Sequence, residues 1–316
     1  MKSNVLYIVI PCYNEEEVLP ISSEKIIEKL EGMIAAGLAD PQSRILFVDD
    51  GSKDNTWPLI AQLHLSQELV CGLKLSRNRG HQNALVAGLM TAGEYADCVI
   101  TVDADMQDDI QVMDEFLEKY QSGCDVVYGV RSSRKKDSFF KKVTAQGFYK
   151  FLRLMGADIV YNHADYRLLS KRVIDALENY SEVNLFLRGL IPLIGYESDV
   201  VYYERSERAA GESKYPLKKM IAFAVDGITS FSVKPLKIIS NAGIIIAILS
   251  SLGLLYSLIS KLLNSAVPGW TAIVASIWLL GGIQLFCLGI IGEYIGKIYS
   301  EVKRRPKYVI DKILKK

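Results

Sequence analysis

The feature that most restricts the fold of this chain lies near its C-terminus, where charge disappears. Residues 238–260 carry no Asp, Glu, Lys or Arg, and after Lys261 the run 262–292 carries none either. About 20 apolar residues are enough to cross a hydrocarbon core as a helix. Soluble core helices keep a charged or polar stripe away from the core, and neither run has a charged one. The expectation is two membrane-spanning helices joined by a short turn at LNSAVPG, where Pro268 and Gly269 interrupt the pattern. Lys214, Lys218, Lys219, Lys234 and Lys237 precede the first run, Lys297, Lys303, Arg304, Arg305 and Lys307 follow the second, and only Lys261 lies between. Basic residues stay on the cytoplasmic side. The chain is therefore expected to be a two-span protein of the cell (inner or plasma) membrane, with both termini and all of residues 1–230 in the cytoplasm.

Upstream of the spans there is room for one substantial domain. The net charge of +1 over 316 residues argues against nucleic acid as a partner. Five cysteines stand without a CxxC pair, which fits reduced thiols better than zinc or a disulfide framework. Short apolar runs alternate with amphipathic ones. Strands are expected at 5–10, 44–49, 70–75, 97–103 and 125–130, and helices at about 16–32, 54–67, 82–93 and 109–121. This alternation predicts an α/β domain with a mostly parallel sheet, whose ligands bind at the carboxyl ends of the strands.

The segment YPLKKMIAFAVDGITSF (215–231) has Leu217, Met220, Ile221, Ala224, Ile228 and Phe231 on one face and Lys218, Lys219, Asp226 and Thr229 on the other. It reads as an amphipathic helix in the membrane interface, or as a surface helix on the core. The bulky, basic stretch 138–155 leaves the same two readings open. Domain limits are expected at 1–212, 213–233 for the interfacial helix, 234–300 for the hairpin and 301–316 for a cytoplasmic basic tail.

Three expected strands end in polar clusters: PCYNEEE (11–17), DDGSKDNT (49–56) and DADMQDD (103–109). Helix capping accounts for part of this, with Asp54 suited to the second helix and Asp108 and Asp109 to the fourth. It does not account for Asp103 and Asp105. At i and i+2 of an extended segment they share a face, and like charges that close need a cation. Oxygen ligands suit Mg²⁺ or Mn²⁺, either of which leaves positions open for a diphosphate. Asp49 and Asp50 are placed to accept hydrogen bonds from a ribose or a base N–H. GxxxxGK[ST] and GxGxxG are both absent, which excludes a P-loop nucleotidase and a dinucleotide fingerprint.

IPCYNEEE, VDDGSKDNT, SRNRGHQNA and DADMQDD, in this order, resemble the family 2 glycosyltransferases of the GT-A (Rossmann-like) fold. HADYRLLS (163–170), ERAAGESKY (207–215) and GIIGEYIGKIYSEVKRRPKY (289–308) extend the resemblance to the polyprenyl-phosphate glycosyltransferases. These include dolichyl-phosphate mannose synthase and the bactoprenol-phosphate glucosyltransferases. The resemblance implies inverting transfer of one sugar from a nucleotide diphosphate sugar to polyprenyl (undecaprenyl) phosphate, for cell-envelope glycosylation. The donor it implies is UDP-glucose, with UDP-N-acetylglucosamine as the alternative. It implies nucleotide contacts from Pro11, Tyr13, Glu15 and Asp50, and metal ligation by Asp103, Asp105 and Gln107. Acceptor-phosphate contacts are implied for Arg131, Ser132, Arg134, Ser213 and Lys214, the alternative for this basic loop being a solvated surface beside anionic lipid.

Asp165 is expected to orient the substrates and stabilise charge at the sugar C1, or else to cap a helix beginning near Leu169. The partners implied are the UDP-sugar, the lipid phosphate, the bilayer, and other copies of the chain in a homo-oligomer such as a tetramer. No QxxRW motif is present, which argues against polymer synthesis. Two rivals remain: a non-catalytic membrane sensor of nucleotide sugars, and a membrane nucleotidyltransferase. The second would need cations near the first strand, and PCYNEEE has none. Glu293 reads as a functional intramembrane charge or as the partner of Lys297 one turn on. His163 reads as a structural hydrogen-bonding residue.

Overall fold

The computed structural model describes residues 3–132, 163–180, 182, 187–204 and 269–316, with scattered positions between 236 and 252. The chain forms two compact units. One holds Met1–Gly147, Ile159–Tyr215 and Arg304–Lys316, and the other Phe148–Asp158 and Pro216–Lys303. The expected interfacial helix at 215–231, the basic stretch 138–155 and the candidate residues Arg134, Ser213 and Lys214 lie outside the described residues.

The first unit is built on an eight-stranded sheet. Its strands are β1 (Leu6–Cys12), β2 (Arg44–Asp49), β3 (Val70–Leu75), β4 (Cys98–Thr101), β5 (Val126–Arg131), β6 (His163–Ser170), β7 (Ser198–Tyr203) and β8 (Ile310–Leu314). The order across the sheet is β7-β5-β6-β4-β1-β2-β3-β8. Strands β4, β1, β2 and β3 are mutually parallel. β6 runs antiparallel between β4 and β5. The apolar runs of β1 and β2 are buried on both faces, as parallel strands between helical layers must be. Helices α1 (Leu19–Ala35), α2 (Thr56–Ser66), α3 (His81–Gly93), α4 (Met113–Gln121), α5 (Lys171–Glu178) and α6 (Leu187–Ile194) complete the unit. The connections from β1 to β2 and from β3 to β4 send the chain to opposite sides of β1. That reversal opens a crevice at the carboxyl ends of β1 and β4.

Helix α3 reaches this crevice because Gly88 lets it lie close on the sheet. A Cβ at Gly88 would stand 2.4 Å from Val9 Cγ1 and 2.9 Å from Val48 Cγ2. Both valines are short, β-branched and buried, so neither has room to move aside. Gly88→Val is expected to destabilise the fold by about 2–3 kcal/mol through overpacking. A denaturant midpoint unchanged from the parent would contradict this close approach.

Two expectations fail here. The C-terminal tail is not simply a basic extension: β8 pairs antiparallel with β3, from Gly72↔Leu314 to Leu75↔Ile310. Its alternation of Ile and Lys disguises it as a charged tail, yet it covers what would otherwise be an open sheet edge. Residues 163–170 form strand β6, and the following helix starts at Lys171, capped by Ser170 Oγ, which accepts from Val173 N. Asp165 is therefore inside a strand and caps no helix.

In the second unit, α7 (Trp270–Val302) is one continuous helix of 33 residues. Among the described residues no helix is long and apolar enough to cross a membrane. The side chains at 270–272, 274–275 and 278–279 of α7, and most of the expected first span, lie outside the description. Glu293 and Lys297 both lie on α7, one turn apart.

Candidate active site

The loops after β1 and β2 are laced together by backbone-to-side-chain bonds. Asn14 N donates to Ser52 Oγ at 3.0 Å, Lys53 N to Asn14 Oδ1 at 3.0 Å, and Glu15 N to Thr56 Oγ1 at 2.9 Å. Asn14 adopts φ 54°, a left-handed conformation that asparagine tolerates and most residues do not. Asp54 ties both loops to the start of α2, accepting from Glu16 N, Thr56 N and Thr56 Oγ1. Pro11 lies within β1 and is buried, Tyr13 is 41% exposed, and Glu15 is half-buried.

Asp50 is differently placed from a free ligand for a nucleotide. It is buried, and its two oxygens accept from Arg79 N at 2.7 Å and Gly80 N at 2.8 Å. Asp50 thus fixes the loop that leads into α3. Gly51 follows at φ 66°, and a Cβ there would meet Arg77 C at 2.5 Å, so only glycine lets the two loops close.

Strand β4 ends at Thr101, so Asp103 and Asp105 stand beyond it in a turn and not at i and i+2 of an extended strand. Asp105 Oδ1 accepts from Gln107 N at 3.2 Å, and Met106 between them takes φ 54°. Burial, opposed by His81 and reinforced by repulsion from Asp165, Asp108 and Asp105, pushes the Asp103 carboxyl up to about 6. Asp108 does not serve as a helix cap. Its Oδ1 accepts from Tyr203 Oη at 2.5 Å and from Arg131 Nη2 at 3.2 Å. Asp109 does cap, accepting from Gln111 N at 2.9 Å at the short 3₁₀ turn before α4. Arg131 therefore comes to the site already paired with Asp108. Ser132 Oγ donates to Tyr203 O at 3.0 Å.

Asp165 is the hub of the site. Its carboxylate, nine-tenths buried, accepts from Arg167 Nη2, from Arg188 Nε at 3.2 Å and Nη2 at 3.0 Å, and from Gln82 Nε2 at 3.4 Å. His81 Nε2 stands 3.6 Å from Asp165 Oδ2 and 3.5 Å from Asp103 Oδ1. Burial alone would raise the Asp165 carboxyl, but Arg167, His81 and Arg188 hold it well below the usual carboxylate range. Thr101 Oγ1 donates to Asp165 O at 2.5 Å and fixes the backbone at the same point.

Four of these partners were not read from the sequence. Arg167 could have been, since it lies two residues from Asp165 on one strand and so on the same face. His81 and Gln82 sit in the SRNRGHQNA motif, at the positive N-terminus of α3, where carboxylates are favoured. Arg188 comes from α6, distant in sequence, and carries no local signal.

The donor set of Asp103, Asp105 and Gln107 is all oxygen. A buried carboxyl pushed toward protonation by its neighbours marks a place short of positive charge, and a hard divalent cation fits it. Among the described residues no three His, Cys, Asp or Glu side chains form a metal-holding group. The remaining ligands would therefore include the Gln107 amide and substrate oxygens.

The sequence profile described as Glycosyl transferase family 2 matches residues 7–177, and one described as GtrB C-terminal hairpin matches 234–298. An uncharacterized glycosyltransferase, YkoT of Bacillus subtilis (strain 168), is 54% identical over 97% of this chain and 91% of its own length. A second from the same strain, YkcC, is 41% identical over 99% of this chain and 95% of its own. The SfII prophage-derived bactoprenol glucosyl transferase of Shigella flexneri is 40% identical over 96% of this chain and 97% of its own.

Proposed function

This chain belongs to glycosyl transferase family 2, and we propose that it transfers a single sugar, with inversion, from UDP-glucose to a polyprenyl phosphate at the cytoplasmic face of the cell membrane. UDP-N-acetylglucosamine is the alternative donor. The observation that carries this reading is the convergence of Asp103 and Asp165 on His81 at the crevice beside β4. The name of the Shigella relative supports the acceptor class.

In this reading the loops after β1 and β2 hold the nucleotide, with Pro11, Tyr13 and Glu15 at the surface offered to it and Asp50 ordering the floor. Asp103, Asp105 and Gln107 would hold Mg²⁺ or Mn²⁺, which when bound supplies positive charge to the departing diphosphate. Asp165 stays ionised and rigid between Arg167 and Arg188, placed to orient the substrates and to favour positive charge growing at C1. The acceptor needs no base, because the second ionisation of a phosphate monoester lies near pH 6. Arg131 and Ser132, with Arg134, Ser213 and Lys214, remain the proposed acceptor-phosphate contacts.

The membrane assignment rests on the two uncharged runs and on the flanking lysines and arginines. The helix α7 supports it, exposing Ile273, Ile277, Leu280, Leu285, Phe286, Leu288 and Ile291 around its girth. The pairing of β8 with β3 supplies a separate argument. Residues 310–314 share a sheet with residues 70–75, so the chain between them crosses any bilayer an even number of times. The two spans, the interfacial helix before them and a homo-oligomer such as a tetramer complete the proposal.

The test is to incubate the purified chain with undecaprenyl phosphate, Mn²⁺ and a panel of nucleotide sugars, and to weigh the lipid product. A product heavier than the lipid phosphate by one hexose, formed from UDP-glucose, is expected. Transfer from none of the panel would refute the reading.

A further inference from the structure

The charges around Asp165 do not balance. One carboxylate carries two guanidinium partners, and they are not equivalent. Arg167, on the same strand, is 1% exposed in its side chain and is sufficient to neutralise Asp165. Arg188 reaches in from α6 and keeps 32% of its side chain exposed. It approaches side-on, through Nε to Oδ1 and Nη2 to Oδ2. Because the guanidinium is planar, this pairing turns its opposite edge away from the carboxylate. Gln82 braces the approach, with Oε1 accepting from Leu187 N at 3.2 Å and Nε2 donating to Asp165 Oδ2. Helix α6 is thus docked so that a second positive charge stands at the mouth of a carboxylate site. Its neighbours there, Asp103 and His81, are also partly exposed, at 36% and 42% of their side chains.

We infer that Arg188 is a catalytic residue that receives the acceptor's phosphate. This deepens the proposed function and rests on its reading of the acceptor as a lipid phosphate. The donor diphosphate has its counter-charge at Asp103 and Asp105. The acceptor phosphate arrives as a second dianion, next to Asp103 and Asp165, and would be repelled without a cation of its own. Arg131 has Asp108 as its partner, so its charge is partly offset. A planar guanidinium already oriented by Asp165 matches phosphate oxygens two at a time, as an ammonium cannot. In the step itself an acceptor-phosphate oxygen forms the bond to C1. The bond from C1 to the diphosphate oxygen breaks, and its electron pair leaves with UDP. The dianion has no proton to transfer, so Arg188 acts by charge and direction alone.

The test uses the full chain in detergent with Mn²⁺ and UDP. Farnesyl phosphate is titrated by calorimetry into the parent, Arg188→Gln and Arg188→Lys, with farnesol as the control for the tail. Loss of a charge-assisted pair of hydrogen bonds is expected to weaken phosphate binding about tenfold or more in Arg188→Gln. Arg188→Lys should fall between, since it keeps the charge and loses the fork. UDP affinity should stay within about twofold of the parent in both, a change of under 0.5 kcal/mol. Equal farnesyl phosphate affinity in parent and Arg188→Gln would overturn the inference. So would UDP affinity falling in step with it, which would place Arg188 on the donor or on the fold. Should Arg188→Gln not fold, the same comparison is decided by Arg188→Lys. If the parent binds farnesyl phosphate through Arg188 but transfers no sugar to any lipid phosphate, the proposed function fails and the phosphate site stands.

Discussion

Asp105→Asn is expected to lower kcat for sugar transfer by about 10³-fold or more, the several kcal/mol that a divalent cation supplies to a departing phosphate. The substitution is chosen because the structure limits what else it changes. Asp105 Oδ1 accepts from Gln107 N, and an asparagine oxygen accepts the same bond, so the turn through Met106 is kept. Only the charge is removed. Tm should change by no more than a surface substitution does, because Asp105 is half-buried and belongs to no core cluster. An excess of chelator should bring the parent to the level of the variant. Full activity in the chelated parent, or in the variant, would remove the cation from the account.

Asp165→Asn is expected to do two things. It removes a negative charge facing C1, and kcat should fall by about 10²–10³-fold, in the range seen for losing one preorganised electrostatic group. UDP affinity should hardly move, since the nucleotide is held by the loops of β1 and β2. The variant also leaves Arg167 buried without its carboxylate, at a cost of about 3–5 kcal/mol. Kinetics must therefore be measured well below the lowered Tm. Raising the pH from 7 to 9 should not rescue the variant. A rate climbing about tenfold per pH unit, in the variant alone, would make Asp165 a general base.

The pH dependence of stability has a definite sign. A carboxyl held below its unfolded value contributes stability that is fully present above the ordinary carboxylate range. That contribution is lost as pH falls through the depressed folded value. The Asp165 cluster should therefore hold at neutral and mildly acidic pH and fail only in stronger acid. Acid unfolding of the Asp165→Asn variant should begin from a lower plateau and show less of this late loss. Identical acid profiles for parent and variant would contradict the ion-paired hub.

Much of the sheet was legible because parallel strands buried on both faces read as unbroken apolar runs. Arg44–Asp49 and Val70–Leu75 stand where the sequence places them. Strands β6, β7 and β8 were not legible. Each carries charge or tyrosine at alternate positions, and each is set in the sheet by partners far along the chain: β6 between β4 and β5, β8 on the open edge of β3. The acidic clusters were legible as a site, since no cap or surface explains Asp103 beside Asp105. Their geometry was not, because the turn at Met106 takes them off the strand. Asp50 misled for a related reason. A carboxylate at a strand end looks like a ligand for something bound, and here its oxygens hold the backbone of the loop before α3. The cations around Asp165 come from a strand neighbour, a helix start and the remote helix α6, so only Arg167 had a local signature.

The most direct measurement of the central claim is the anomeric configuration of the lipid product made from UDP-glucose, read by NMR alongside the count of UDP released. The account predicts one β-linked glucose per lipid phosphate and one UDP per product, since the donor is α-linked and an oxygen of the phosphate attacks from the opposite face. An α-linked product, a chain of sugars, or UDP released with free glucose and no lipid product would contradict it.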